Sequence, residues 1–148
     1  MKQTNIFKLI HAIEQMNNEN IIQFTKEFHY PLGISPILVL AELQTKGPQK
    51  QVELADTIGY TKGAMTHIAT KLVHLELIEK TYDESDKRAV QLEITTKGSK
   101  ALKEAQAIGK KVFIELFEVL SEEEIEQYLN IQEKLMKGIQ ARKNKNKF

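Results

Sequence analysis

Apolar residues recur at helical spacing through most of this chain, and the exception is a central stretch where the period changes. From Thr4 to Phe28 the apolar positions Ile6, Phe7, Leu9, Ile10, Ile13 and Met16, then Ile21, Ile22, Phe24 and Phe28, predict a helix. Asn17, Asn18 and Asn20 interrupt that pattern and predict a bend or break. After a loop at Tyr30-Pro31-Leu32-Gly33, Ser35 as cap and Pro36 as first residue open a second helix. It runs through Leu38, Leu40 and Leu43 to Gly47-Pro48. Gln49 to Ile58 forms a short helical pattern that sends Val52, Leu54, Ala55 and Ile58 toward a core. Beyond the turn Gly59-Tyr60-Thr61, with Thr61 as cap, Lys62 to Leu75 carries Met65, Ile68, Ala69, Leu72 and Val73 as one buried stripe.

The period then falls to two. Leu77 to Tyr82 and Arg88 to Thr95 read as two strands around a turn at Asp83 to Lys87, with Val90, Leu92 and Ile94 on one face. Thr95-Thr96-Lys97-Gly98 opens a long helix through Leu102, Ala105, Ile108, Val112, Phe113, Leu116, Phe117 and Leu120. Ser121 with Glu124 is a capping box, and Glu122 and Glu123 suit the positive end of the helix that follows. That last helix carries Ile125, Tyr128, Leu129, Leu135, Met136 and Ile139. Arg142 to Phe148 is expected to be a frayed basic tail. The fold class is therefore mainly α with a small β-wing (α+β): a winged helix-turn-helix between longer helices.

At 148 residues, 41% hydrophobic and 28% charged, the chain has the size and composition of one ordinary globular domain. It contains no cysteine, which excludes disulfides, thiolate-bound zinc and an internal thiol switch. No apolar run is long enough for a membrane span, and Met1 to Ile10 lacks the features of a secretory signal, so a cytoplasmic protein is expected. A formal charge of +1 argues against uniformly basic, histone-like binding to nucleic acid. Charge placement says more than the total. Between Thr57 and Leu75 there is no carboxylate, while Lys62, Lys71, His67 and His74 are all present.

The helix face opposite the apolar stripe consists of small, hydroxyl-bearing and basic residues, a set suited to base edges and phosphates. Thr61, Lys62, Gly63, Thr66, His67, Thr70 and Lys71 form the candidate recognition set. Gly63 permits close approach of a phosphate to helix N-terminal amides. In the wing, Lys87 and Arg88 are candidate DNA contacts. Arg88 either enters a minor groove or bonds Asp86, which would orient it; spacing alone leaves a plain turn ion pair equally open.

No cofactor is expected, and an enzyme is not: there is no glycine-rich phosphate loop, no His-Glu-x-x-His and no Gly-x-Ser-x-Gly. Two alternatives to a DNA-binding regulator remain. One is a metal-responsive regulator, for which His67 and His74 share a face but no metal-ligand pair at i, i+4 occurs. The other is a winged-helix module for protein partners, from which a basic, acid-free helix face is not expected.

Glu53-Leu54-Ala55, Met65-Thr66, Lys71-Leu72, Leu77-Ile78-Glu79-Lys80, Asp86-Lys87-Arg88-Ala89 and Ile94-Thr95-Thr96-Lys97-Gly98 together resemble the core signature of the MarR (multiple antibiotic resistance regulator) family. The wing Asp-x-Arg before an alternating strand is the most specific part. The resemblance implies one domain over 1–148, with 34–98 as the DNA-binding lobe and helices in 1–30 and 100–148 forming a homodimer base. It implies partners in double-stranded DNA and a second copy of the chain. It also implies repression relieved by a small, often phenolic effector or an oxidant. One departure is Lys80, where the family often has arginine; a phosphate contact survives that change and a bidentate one does not.

Large apolar residues in the terminal helices, among them Phe7, Phe24, Phe113 and Phe117, independently favour burial between subunits over folding back on the lobe. A small aromatic effector would fit near Ile10, Ile13, Phe24, His29 and Tyr30, residues that suit an empty core junction equally well.

Overall fold

The computed structural model describes residues 3–82, 84–85 and 90–147. The chain divides into two compact units, Met1–Lys110 and Lys111–Phe148. In the first, α1 spans Gln3–Glu27 as one continuous helix, without the break expected at the asparagines. An asparagine disfavours a helix by less than about 1 kcal/mol per residue, and i, i+4 bonding on either side outweighs that.

Helix α2 (Ile34–Lys46) begins at Gly33, which caps it without a side-chain bond, so Ser35 and Pro36 lie inside the first turn instead of opening it. Proline is tolerated there because first-turn amides have no intrahelical acceptor. The helix stops at Gly47, whose φ of 79° few other residues adopt.

Gln49–Lys50 is a short strand, β1, where a helical pattern was expected. It pairs antiparallel with β3 (Val90–Ile94), placing Gln49 opposite Leu92, and β3 pairs in turn with β2 (Ile78–Tyr82). The three-stranded sheet has the order β1-β3-β2. Between these strands in sequence lie α3 (Gln51–Ile58) and α4 (Lys62–His74).

The core is built where the helical stripes meet the inner face of the sheet. Val39, Leu40 and Leu43 of α2, Leu54 and Ala55 of α3, and Met65, Ile68, Ala69 and Leu72 of α4 are buried with Ile78 and Leu92. Phe28, Leu32, Ala101, Leu102 and Ala105 join the same cluster from α5 (Thr96–Phe117) and from the segment before α2. Two residues expected inside are outside: Val52 is 57% and Leu38 46% exposed. Val52 precedes Leu54 by two positions, about 200° around the helix, so both cannot face inward. Val39 takes the place expected for Leu38.

In the second unit the chain leaves helix after Phe117, three residues before the expected end, because Ser121 caps α6 (Glu122–Lys145). Its hydroxyl accepts from the Glu124 amide at 3.2 Å, and the Glu124 carboxylate accepts from the Ser121 amide at 3.0 Å. The Phe117 ring packs edge-on to Tyr128 at 5.6 Å and stacks with Phe113 at 6.2 Å. The supposed basic tail is helical as far as Lys145. Arg142, Lys143 and Lys145 in its last turn favour the negative end of the helix dipole.

A candidate nucleic-acid interface

Helix α4 is positioned by its two ends. Gly59, at φ 87° and ψ 28°, ends α3 in the left-handed conformation, and the Gly59 and Tyr60 amides both donate to the Ala55 carbonyl at 2.9 Å. Two residues later Thr61 caps α4, its hydroxyl accepting from the Ala64 amide at 3.1 Å. At the far end the Leu77 amide reaches back to Leu72 O and the Glu76 amide to Val73 O, both at 2.9 Å. This Schellman closure places Glu76 at φ 64°, a site usually held by glycine.

Between these ends the helix has two faces. Met65, Ile68, Ala69 and Leu72 are buried; Thr61, Lys62, Gly63, Thr66, His67, Thr70 and Lys71 are all exposed. The structure thus brings the whole recognition set onto one outward surface, with His74 also exposed at its end. Thr66 Oγ1 donates to Lys62 O and Thr70 Oγ1 to Thr66 O, each at 2.8 Å. Both hydroxyls therefore place their protons on the helix itself and keep acceptor capacity toward solvent.

Apart from the helix's own adjoining backbone, nothing lies within 4 Å of where a Gly63 Cβ would stand, so packing does not demand glycine there and the surface above it is open. Among the described residues, no ion pair holds Lys62 or Lys71. Lys80 is exposed in the middle of β2. Asp86, Lys87 and Arg88 lie outside the described residues.

Sequence reasoning missed Gln51, the first residue of α3. Its side-chain Nε2 donates to Thr66 Oγ1 at 3.3 Å, tying α3 to the outward face of α4. A cavity of about 220 Å³ opens beside this contact, lined by Gln51, Val52, Ala55, Lys62, Met65 and Val90 among others. No local pattern announces either feature, since both arise from the crossing of two helices.

Of the five effector candidates, three come together. The His29 and Tyr30 rings lie 4.2 Å apart, tilted by 37°, Tyr30 lies 5.6 Å from Phe28, and Phe28 lies 5.2 Å from Phe24. His29 Nδ1 is 2.8 Å from Glu104 Oε1. Ile10 and Ile13 are each 45% exposed, and Ile13 is about 16 Å farther along α1 from Phe24. Among the described residues, no group of three or more histidines and carboxylates is placed to hold a metal ion. No helix of the described residues is long and apolar enough to cross a membrane.

The outward face of α4 is exposed, and the helix is of the width that a B-form major groove admits. Strand β2 of the antiparallel pair β2–β3 packs beside it. This makes the protein a DNA-binding winged helix-turn-helix regulator.

Comparison with known proteins refines that class. The MarR family profile matches residues 34–90. The chain is 30% identical over 117 residues to the HTH-type transcriptional regulator MhqR of Bacillus subtilis, covering 78% of this chain and 79% of that one. It is 29% identical over 116 residues to the HTH-type transcriptional repressor MdtR of the same organism, covering 77% and 75%. The crystal structure of YusO from Bacillus subtilis superposes with a TM-score of 0.74 at 26% identity, over 91% of this chain and 94% of the other. The chain belongs to the MarR family.

Proposed function

We propose that this protein is a cytoplasmic, non-enzymatic repressor that binds an inverted-repeat operator as a homodimer and releases it when a small aromatic ligand binds. The observation that carries the reading is the fully exposed, acid-free face of α4. Lys62 and Lys71 neutralise phosphates, Thr61, Thr66, Thr70 and His67 meet base edges or phosphates, and Gly63 admits the backbone. Lys87 and Arg88 extend the contact from the wing, with Asp86 orienting Arg88; the sequence motif they share with the family supports these roles. The repressor sign is supported by the name of the MdtR relative.

Dimerisation is supported by α1 and α6, neither of which contains a single buried residue. The effector would sit at Phe24, His29 and Tyr30, where clustered rings adjoin polar atoms, with Ile10 and Ile13 completing the apolar surface in the dimer.

The test is a mobility-shift titration on genomic fragments enriched by the purified protein. Four cations per protomer on a two-fold site give a slope of log affinity against log salt of about −7. The enriched fragments should contain half-sites about 34 Å apart. Binding that is indifferent to salt, or enrichment of no common site, would overturn the reading.

A further inference from the structure

We propose that Gln51 is a positioning residue for base readout: it fixes the polarity of the Thr66 hydroxyl, so that Thr66 accepts a hydrogen bond in the major groove and does not donate one. The inference rests on the docking of α4 proposed above. Gln51 belongs to α3 and not to the recognition helix, yet its Nε2 donates to Thr66 Oγ1 at 3.3 Å. The same oxygen donates its proton to Lys62 O at 2.8 Å. A hydroxyl has one proton and two acceptor lone pairs. With the proton on the helix carbonyl and one lone pair filled by the amide, a single lone pair remains for an outside group.

That lone pair suits an exocyclic amine, adenine N6 or cytosine N4. Guanine and thymine present acceptors at the corresponding places and would set one oxygen lone pair against another. Without Gln51 the Thr66 hydroxyl is held by the Lys62 carbonyl alone, as Thr70 is by Thr66 O, and the restriction weakens. Lys62 O already accepts the Thr66 amide, as each helical carbonyl does one turn back. The hydroxyl proton could then leave that carbonyl for an acceptor on the base.

A second observation separates this role from a structural one. Gln51 Oε1 is buried without a hydrogen-bond partner among the described residues. A buried acceptor left unpaired is a cost to folding. Methionine, of similar length and with no such acceptor, would fill the same space without it. The orphaned acceptor offsets what the Nε2 bond contributes to stability, whereas orientation of Thr66 gives the amide a use that methionine lacks.

The test is selection from a pool of randomised duplexes by the intact protein and by its Gln51→Met, Thr66→Val and doubly substituted forms, with melting temperature measured for each. The wild type should restrict one position of each half-site to adenine or cytosine on the contacted strand. Gln51→Met should melt no lower than the wild type and admit guanine and thymine there, relaxing the preference about fivefold. Thr66→Val should flatten the same position without altering α3, and adding Gln51→Met to it should change nothing further. A Gln51→Met protein that selects the wild-type site unchanged overturns the inference and leaves DNA docking standing. A wild type that selects no sequence at all overturns both.

Discussion

Gly98 carries more of the lobe's geometry than its place in a helix opening suggests. Thr95 Oγ1 accepts from the Gly98 amide at 2.9 Å and donates to Glu76 O at 2.7 Å, while the Thr95 amide donates to Leu77 O at 3.1 Å. The start of α5 is thereby clamped to the turn that leaves α4. A Cβ on Gly98 would overlap the Leu77 carbonyl oxygen and approach Ile94 Cγ1 to 2.8 Å. The obstruction is mostly backbone, which cannot rotate away, so Gly98→Ala belongs at the upper end of overpacking costs, about 3 kcal/mol. Thermal unfolding of the variant should begin roughly 10 °C lower; an unchanged melting temperature would contradict the clamp. The motif ending in this glycine was legible in the sequence as a helix start. Its second duty was not, because the atom that excludes a side chain comes from a residue twenty-one positions earlier.

At the scale of elements, what could be read in advance is what local chemistry dictates. The stripe of Met65, Ile68, Ala69 and Leu72, the cap at Thr61 and the box at Ser121 and Glu124 each follow from side chains within a turn or two of one another. Strand β1 could not be read this way: two residues become a strand only by pairing with Leu92 and Gln91, some forty positions later. The end of α4 was equally quiet, since Glu76 fills a position where glycine would have marked the stop. The candidate site divides along the same line. The exposed face of α4 followed from periodicity, whereas Gln51 reaches Thr66 only through the crossing of α3 and α4.

Thr61 offers a test of the local half of this account. Thr61→Ala removes the acceptor for the Ala64 amide and should lower stability by about 1 kcal/mol. In urea this should appear as an earlier midpoint with an unchanged slope. Thr61→Ser, which keeps the oxygen, should restore the midpoint, and a serine variant as weak as the alanine one would show that the hydroxyl is not the cap.

For the whole molecule, the question is what covers the apolar surface of the two longest helices. In α1, Leu9 is 55% and Ile13 45% exposed; in α6, Ile131 is 59% and Leu135 57% exposed. Scattered exposed apolar residues are ordinary, but residues at i and i+4 share one face of a helix and form a seam. Glu122 to Glu124 and the basic last turn flank the α6 seam with charge, which suits an interface with an apolar centre and a polar rim. A second copy of the chain provides matching seams by symmetry.

Sedimentation equilibrium should therefore return twice the 17.0 kDa of a single chain. Because folding is then linked to association, each tenfold dilution should lower the melting temperature by about 2 °C. Leu135→Glu places a charge in the seam and should yield a folded but dissociating lobe. Such a lobe would still meet a half-site through α4 while losing the affinity gained from joining two. A chain that sediments at 17.0 kDa with a dilution-independent melting temperature would leave those seams without a partner and the paired spacing of half-sites without a cause.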